Sequence, residues 1–264
     1  MSARVLVVVP TYNEKESIPG ALSRLREHVP DADVLVVDDG SPDGTGQLVE
    51  QIAADERDAG VARSVSVLHR TAKQGLGKAY VAGFGWALER SYDVIVEMDA
   101  DGSHRAQDLP ALLAALPDAD LVLGSRWVPG GSVVNWPKNR EVLSRGANTY
   151  TRLLLGIPVR DATGGFRAYR ADLLRELALG DVASRGYCFQ IDMTLRSLAA
   201  GARVVEVPIT FVERELGASK MSRDIVVEAL VNVTRWGIAE RSRRVAGAFR
   251  KVTRSGREGQ AVGR

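Results

Sequence analysis

Asp99 and Asp101 follow the apolar run Val94 to Met98, with Ala100 between them. Residues two apart in an extended segment point to the same side, so the two carboxylates can share one cation. Paired oxygens of this kind suit Mg²⁺ or Mn²⁺. Such an ion keeps bound water and takes further ligands from a substrate diphosphate. Gly102 and Ser103 come next, and acids followed by these residue types also end strands as plain turns. Two more apolar runs end in acids: Pro10 to Glu14 closes the first, and Asp38 with Asp39 the second. Ligands of open α/β sheets bind beyond the carboxyl ends of the strands. If these three strands are neighbours, their carboxylates line one crevice and repel one another unless a cation or a donor-rich ligand lies between them.

A second group has the opposite sign. Between residues 124 and 145, Arg126, Lys138, Arg140 and Arg145 face a single acid, Glu141. A diphosphate gathers negative charge as it leaves, which a metal ion and arginines neutralise. An acceptor that is itself a phosphate is already largely dianionic at neutral pH, its second pKa being about 6. It needs no general base. It needs positive charge to seat it and hold the attacking oxygen in line, a task suited to the guanidinium fork. The charge pattern therefore predicts a phosphate acceptor.

Plainer readings stand beside these. Glu14 can be a helix-start acid, Asp38 a cap, Arg126 a solvated loop cation, Arg145 surface charge, and Asp161 with Gly164 and Gly165 a turn. His104 either touches the donor or is a loop histidine, and Cys188 reads as a small buried filler. Gly75-Leu76-Gly77-Lys78 lacks the spacing of a phosphate loop, and no Gly-x-Gly-x-x-Gly follows the first strand.

The elements that must position these groups read as an α/β alternation. Short Val-, Leu- and Ile-rich runs predict strands at Arg4 to Val9 (ended by Pro10), Val34 to Val37, Val65 to Leu68, Val94 to Met98, Leu121 to Leu123 and Val204 to Val207. Helical spacing joins Ile18, Ala21, Leu22, Leu25 and Val29, and recurs over Gly75 to Arg90, Arg140 to Leu155 and Phe189 to Ala200. Gly77, Gly83 and Gly85 suggest close packing of the Gly75 to Arg90 helix. Gly124 to Lys138, with Pro129, Gly130, Gly131 and Pro137, reads as an irregular loop, as does ITFVERELGASKMS after Pro208. Ile225 to Ala239 is apolar, with Val226, Leu230, Val233 and Trp236 on one stripe.

Composition narrows the class further. The chain has 264 residues, 45% of them hydrophobic and 26% charged, which excludes disorder, collagen and a coiled coil. One cysteine and three scattered histidines leave no disulfide within the chain and no Cys- or His-built zinc site. No run approaches the roughly 18 apolar residues that a spanning helix needs, and the N-terminus lacks a cleavage signal, so a cytoplasmic location is expected. Residues 241–264 carry eight basic residues against Glu258, leaving 27 basic and 32 acidic residues over 1–240. The tail therefore seeks an anionic partner. Trp236, Ile238, Val245 and Phe249 interleave with its cations as in an interfacial helix, and a packed helix followed by a disordered basic end is the alternative. No stacking pattern supports a nucleic-acid partner.

VVVPTYNE (7–14), VVDDGSPDGT (36–45), EMDADGSH (97–104), GSRW (124–127), DATGGFRAYR (161–170) and FVERELGASKMS (211–222), in this order over about 1–222, resemble the family-two glycosyltransferases of GT-A fold, specifically the polyprenol (dolichol) phosphate mannose synthases. The resemblance implies a Rossmann-like, mostly parallel sheet flanked by helices over 1–220, and a helical basic appendage over 221–264. It implies inverting transfer of mannose from GDP-mannose to polyprenyl monophosphate with Mg²⁺ or Mn²⁺. By position, Pro10, Tyr12, Glu14, Val37 and Asp39 would hold the base and ribose, and Asp99, Ala100 and Asp101 the metal and diphosphate. Arg126, Arg140 with Ser144, and Arg214 with Lys220 would handle the donor diphosphate and the acceptor phosphate. Ser103 stands where some members carry a metal-binding Gln, and is the expected third metal ligand. Gln190 and Asp192 fall where related transferases place a base. The chain would sit at the inner face of the membrane, through its tail or a separate membrane-anchoring protein. A glucosyl or other hexosyl transferase, or a non-catalytic nucleotide-sugar-binding subunit, would share these motifs.

Overall fold

Branched apolar runs too short for a helix extend into strands, and the longer segments of helical period coil between them. The computed structural model describes residues 3–61, 63–182, 187–213 and 230–238. The chain runs β1 (Val5–Thr11), α1 (Ile18–His28), β2 (Asp33–Asp38), α2 (Thr45–Asp58), β3 (Val65–His69), α3 (Leu76–Glu89), β4 (Val94–Glu97), α4 (Leu109–Ala115), β5 (Leu121–Ser125), β6 (Ser132–Val134), α5 (Lys138–Leu155), β7 (Arg167–Arg170), α6 (Ala171–Glu176), α7 (Tyr187–Ala199), β8 (Val204–Pro208) and β9 (Thr210–Val212). A last helix, α8, covers residues 230–238.

Seven strands form one sheet in the order β3-β2-β1-β4-β7-β5-β8, and β6 pairs with β9 in a separate ribbon. β7 is antiparallel to both its neighbours, and the other pairings of the main sheet are parallel. Alternation along the strands divides the core. Leu6, Val8, Leu35, Val37 and Ile95 face the layer of α3, α6 and α7, while Val7, Val9, Val34, Val36 and Val96 face that of α1, α2 and α4. β1, β2 and β4 are buried on both sides, as a sheet between helix layers requires, and the edge strand β3 is partly buried.

The order turns back on itself at β1, where the chain passes from the β2–β3 side to β4. Such a switch opens a crevice above the carboxyl ends. Thr11 pairs with Asp38 and Val8 with Glu97, so the three acid-bearing ends are neighbours, as expected. β1 runs through Pro10 instead of stopping there. The Thr11 carbonyl takes the Asp39 amide and the Val8 carbonyl the Met98 amide, so Pro10 faces the β4 side beyond the last ladder residue, where no donor is missed. Gly83 lets α3 approach β1, since a Cβ there would lie 2.5 Å from Val8 Cγ1; Gly85 faces open space and needs another reason.

Two segments read as irregular contain strands. β6 lies inside 124–138 and β9 opens the stretch after Pro208; each is three residues long, and Phe211 of β9 also forms a bridge with His104. The tail, the boundary at 220, Arg214 and Lys220 lie outside the described residues. The described part of the C-terminal segment, α8, sets Val233 into the same core as α7.

Candidate active site

At the end of β2, Asp38 is consumed internally. It accepts the Ser41 amide at 3.2 Å, the Ser41 hydroxyl, and the Thr11 hydroxyl at 3.3 Å. It is the turn residue of the plainer reading. Asp39 is different: Arg70 Nη1 and the Gln74 amide, from the loop before α3, hold its carboxylate at the crevice. Tyr12 offers its ring to the ammonium of Lys73 at 4.2 Å, so one basic loop closes on both. Glu14 accepts the Ser17 hydroxyl at 2.7 Å, and its carbonyl receives the Ser17 and Ile18 amides. It thus starts α1 and also edges the crevice. Val37 is fully buried and Ala100 nearly so, which leaves only their backbone to offer a ligand.

The loop after β4 carries the paired carboxylates. Ala100 turns into the core while Asp99 and Asp101 stay partly exposed. Asp99 Oδ1 accepts the Tyr80 hydroxyl at 3.2 Å, and Asp101 Oδ1 accepts the Ser103 amide at 3.0 Å. The Asp99 amide donates to His104 Nδ1 at 3.0 Å, which makes that nitrogen an acceptor and places the ring proton on Nε2. His104 is therefore a buried prop, stacked on Phe166 at 5.1 Å. Ser103 is also buried, and its hydroxyl has no hydrogen-bond partner. Two half-exposed carboxylates and one orphaned hydroxyl are hard oxygen donors, the set that Mg²⁺ or Mn²⁺ takes, with room for water and diphosphate oxygens. Among the described residues no cluster of three His, Cys, Asp or Glu offers an alternative.

Beneath this loop lies a polar cluster that sequence reading missed. Glu97 is fully buried and accepts the Gln190 amide at 2.7 Å; burial pushes its carboxyl up to about 7 even though the Arg167 charge and that hydrogen bond pull it down. Arg167, also fully buried, donates to the carbonyls of Ala162, Gly164 and Gln190 and to the Thr194 hydroxyl. Burial, then the Asp99 and Glu97 charges, raise the Tyr80 phenol well above its ordinary value, so it stays a proton donor to Asp99. Gln190 is thus a support under β4, and Asp192 is held by Arg196 at 2.9 Å.

Across the crevice, Arg126 is buried rather than solvated. Its amide, Nε and Nη2 all donate to the Asp161 carboxylate, at 3.0, 2.7 and 2.7 Å. Burial raises Asp161, but the Arg126 charge and hydrogen bonds outweigh it and hold the carboxyl below its ordinary value. Glu206 on β8 fixes Asp161 in turn by accepting the amides of Arg160 and Asp161 at 2.8 and 2.9 Å. Arg140 pairs with Glu213 and lies over Trp136 at 4.1 Å, its Nε buried without a partner. Gly131 permits the tight return to β6, since a Cβ there would sit 2.5 Å from the Ser125 carbonyl.

A groove of about 480 Å³ begins at Arg126, Trp136 and Arg140 and continues between α5 and α8. Ser144 and Thr163 line it near the arginines; Val142, Leu143, Ile191, Leu230 and Val233 make the rest apolar. Phe211 joins the two halves of the site. Its ring meets His104 at 5.5 Å and Trp136 at 5.4 Å, and the Arg126 guanidinium lies 5.4 Å away. Trp136, Phe211 and Tyr80 were not singled out for the site from sequence. The aromatic residues carry no spacing signal.

An acid-edged crevice at the topological switch, beside a cation-headed groove, defines a glycosyltransferase of GT-A fold. Residues 6–178 match the family described as glycosyl transferase family 2, and the chain belongs to that family. It is 60% identical over 238 residues to an undecaprenyl-phosphate mannosyltransferase of Micrococcus luteus, covering 90% of this chain and 96% of that one. It is 54% identical over 248 residues to a polyprenol monophosphomannose synthase of Mycolicibacterium smegmatis, covering 94% and 92%. Among solved structures it is similar to glucosyl-3-phosphoglycerate synthase of Mycobacterium tuberculosis, in complex with Mn²⁺, UDP-glucose and phosphoglyceric acid. There the TM-score is 0.61 at 20% identity over 88% of this chain and 80% of that one. A mannosyltransferase of Pyrobaculum calidifontis in complex with GDP-Man and Mn²⁺ gives a TM-score of 0.54 at 20% identity, covering 99% and 81%.

Proposed function

We propose that this chain transfers mannose from GDP-mannose to the phosphate of a polyprenyl monophosphate, with inversion at the sugar, to give a polyprenyl phosphomannose. The observation that carries this reading is the groove: a head lined by Arg126 and Arg140 continues into an apolar channel, which suits a lipid monophosphate. The names of the two relatives above 50% identity support the sugar and the acceptor class.

In this reading Pro10, Tyr12, Glu14, Val37 and Asp39 seat the nucleotide, with Asp39 accepting from base or ribose donors while Arg70 keeps it aimed. Asp99, Asp101 and Ser103 would hold Mg²⁺ or Mn²⁺, which when bound supplies positive charge to the leaving diphosphate. Tyr80 and His104 keep Asp99 in place. Arg140 and Ser144 receive the acceptor phosphate, and Arg126, locked by Asp161, presents a fixed cation between the two anions. Arg214 and Lys220 add charge from a segment outside the described residues. The acceptor oxygen is already ionised and attacks without a base, which agrees with Gln190 being committed to Glu97 and Asp192 to Arg196. One in-line displacement gives inversion.

No helix among the described residues is long and apolar enough to cross a membrane. The chain would then meet its lipid peripherally, at the inner face, or through a separate anchoring protein. Incubation of purified protein with radiolabelled GDP-mannose, Mg²⁺ or Mn²⁺ and polyprenyl phosphate should place label in the lipid fraction. Folded protein that leaves the lipid unlabelled defeats the reading, and UDP-glucose outcompeting GDP-mannose replaces it with a hexosyl transferase of another sugar.

A further inference from the structure

A second cavity, of about 420 Å³, lies on α5 away from the groove, and its lining is Trp127, Arg145, Thr149, Arg152 and Arg160. Three guanidinium groups line it and no carboxylate does. Arg145 is partly offset, donating from Nε to Glu141 at 2.9 Å and lying over the Trp127 ring at 4.3 Å. Arg152 and Arg160 enter no ion pair among the described residues; the neighbouring Asp161 carboxylate is taken by Arg126, and Glu206 accepts the Arg160 and Asp161 amides. Like charges gathered around one cavity are unfavourable unless an anion joins them.

The helix itself indicates which anion. At about 100° per residue, the buried positions Asn148, Thr151 and Leu155 fall on one side of α5 and Val142 and Leu153 on the opposite side. Val142 is 70% exposed and Leu153 67% exposed, on the most outward line of the helix. Arg145, Thr149 and Arg152 form one flank of that apolar line, and Leu143, Ala147 and Tyr150, which line the acceptor groove, form the other. An amphipathic helix with outward apolar residues and cations beside them lies in the plane of a bilayer interface.

We propose that the Arg145–Arg152–Arg160 cavity binds the phosphodiester head group of an anionic membrane lipid and, with Val142 and Leu153 dipping beside it, docks α5 on the bilayer. This deepens the function proposed above and rests on its lipid acceptor. With α5 lying flat, the groove on the other flank opens at the depth where a membrane-held prenyl phosphate presents its head. The arginines on this flank are separate from Arg126 and Arg140, which serve the reaction.

The test is vesicle binding by the full chain. Vesicles of phosphatidylcholine containing phosphatidylglycerol should sediment the protein, and phosphatidylcholine alone should do so more weakly. Arg152→Glu with Arg160→Glu should weaken binding to the anionic vesicles by roughly tenfold or more. Thermal unfolding and transfer onto a short, water-soluble prenyl phosphate should stay unchanged. Arg160→Glu alone, at an exposed position where folding is not at stake, should give part of the loss, and Leu153→Asp should weaken binding to both vesicle types. Wild-type binding by the double variant overturns the proposal. So does thermal stabilisation by inorganic phosphate alone that the double variant loses while keeping its vesicle affinity, which would mark a soluble-anion site. Failure of sugar transfer to the soluble acceptor with vesicle binding intact strikes the proposed function and leaves this inference standing.

Discussion

At the donor edge, Asp38 and Asp101 are held by amides three and two positions along the chain. In the acceptor groove, Arg126 and Arg140 depend on Asp161 and Glu213, which are 35 and 73 positions away. The first half is local turn chemistry at strand ends. The second is made of long-range ion pairs and stacked rings, with each arginine oriented by a carboxylate contributed from elsewhere. Acids gathered at one edge call for a cation, whereas arginines gathered at the other have internal counter-charges and an apolar channel beside them. The contrast shows why a donor-side change should act on turnover and a groove-side change on acceptor use or on folding.

The largest effect is expected at the metal site. Asp101→Ala should lower metal-dependent turnover by about 10³-fold in the radiolabel assay, a loss of the size seen when a transition-state charge stabiliser is removed. Activity within a few-fold of wild type would erase the distinction between the two halves. Next is Asp161→Ala, which strands the buried Arg126 charge and should cost about 3–5 kcal/mol in denaturant unfolding. Because the folded carboxyl lies below its ordinary 3.8, the stability from this pair is complete above that pH and drains as pH falls through the lower folded value. Asp161→Asn should therefore flatten the acid limb of the stability curve, and an unchanged limb would remove the pair from the account.

Arg140→Ala should raise the acceptor KM by about 10- to 100-fold while leaving the donor KM within a factor of two or so, since a charge-assisted contact contributes about 1.5–3 kcal/mol. A shift in the donor KM instead would move Arg140 to the other half. The smallest effect belongs to Lys73→Ala. Loss of its stacking on Tyr12 is worth about 0.5–1 kcal/mol, so GDP-mannose affinity should fall by about two- to fivefold when measured calorimetrically. No change would mean that the loop carrying Arg70 does not close on the nucleotide.

Much of the parallel half was legible because its inner strands are buried on both faces and so appear as apolar runs, from Val34 to Val37 and from Val94 to Val96. β7 was not, since RAYR offers one apolar pair and a fully buried Arg167 whose charge is answered by three carbonyls, of Ala162, Gly164 and Gln190. β6 and β9 are three residues each and show no pattern until they meet. In the site, Asp39 was separable from Asp38 only through the family likeness. The structure supplies the physical reason, which is that Asp38 is used up by Ser41 and Thr11.

Residue type and spacing along the chain determined that three strands end in carboxylates, that two of those acids can share a divalent ion, and that a run of cations awaits a phosphate. These follow from chemistry within a few residues, where backbone geometry alone sets direction. The tertiary structure decided which arginine is buried and which is stacked, that Phe211 stands between His104 and Trp136, and that α5 turns one flank to the groove and the other to an arginine cavity. Those outcomes depend on burial and on partners brought together from distant parts of the chain, and only packing establishes either.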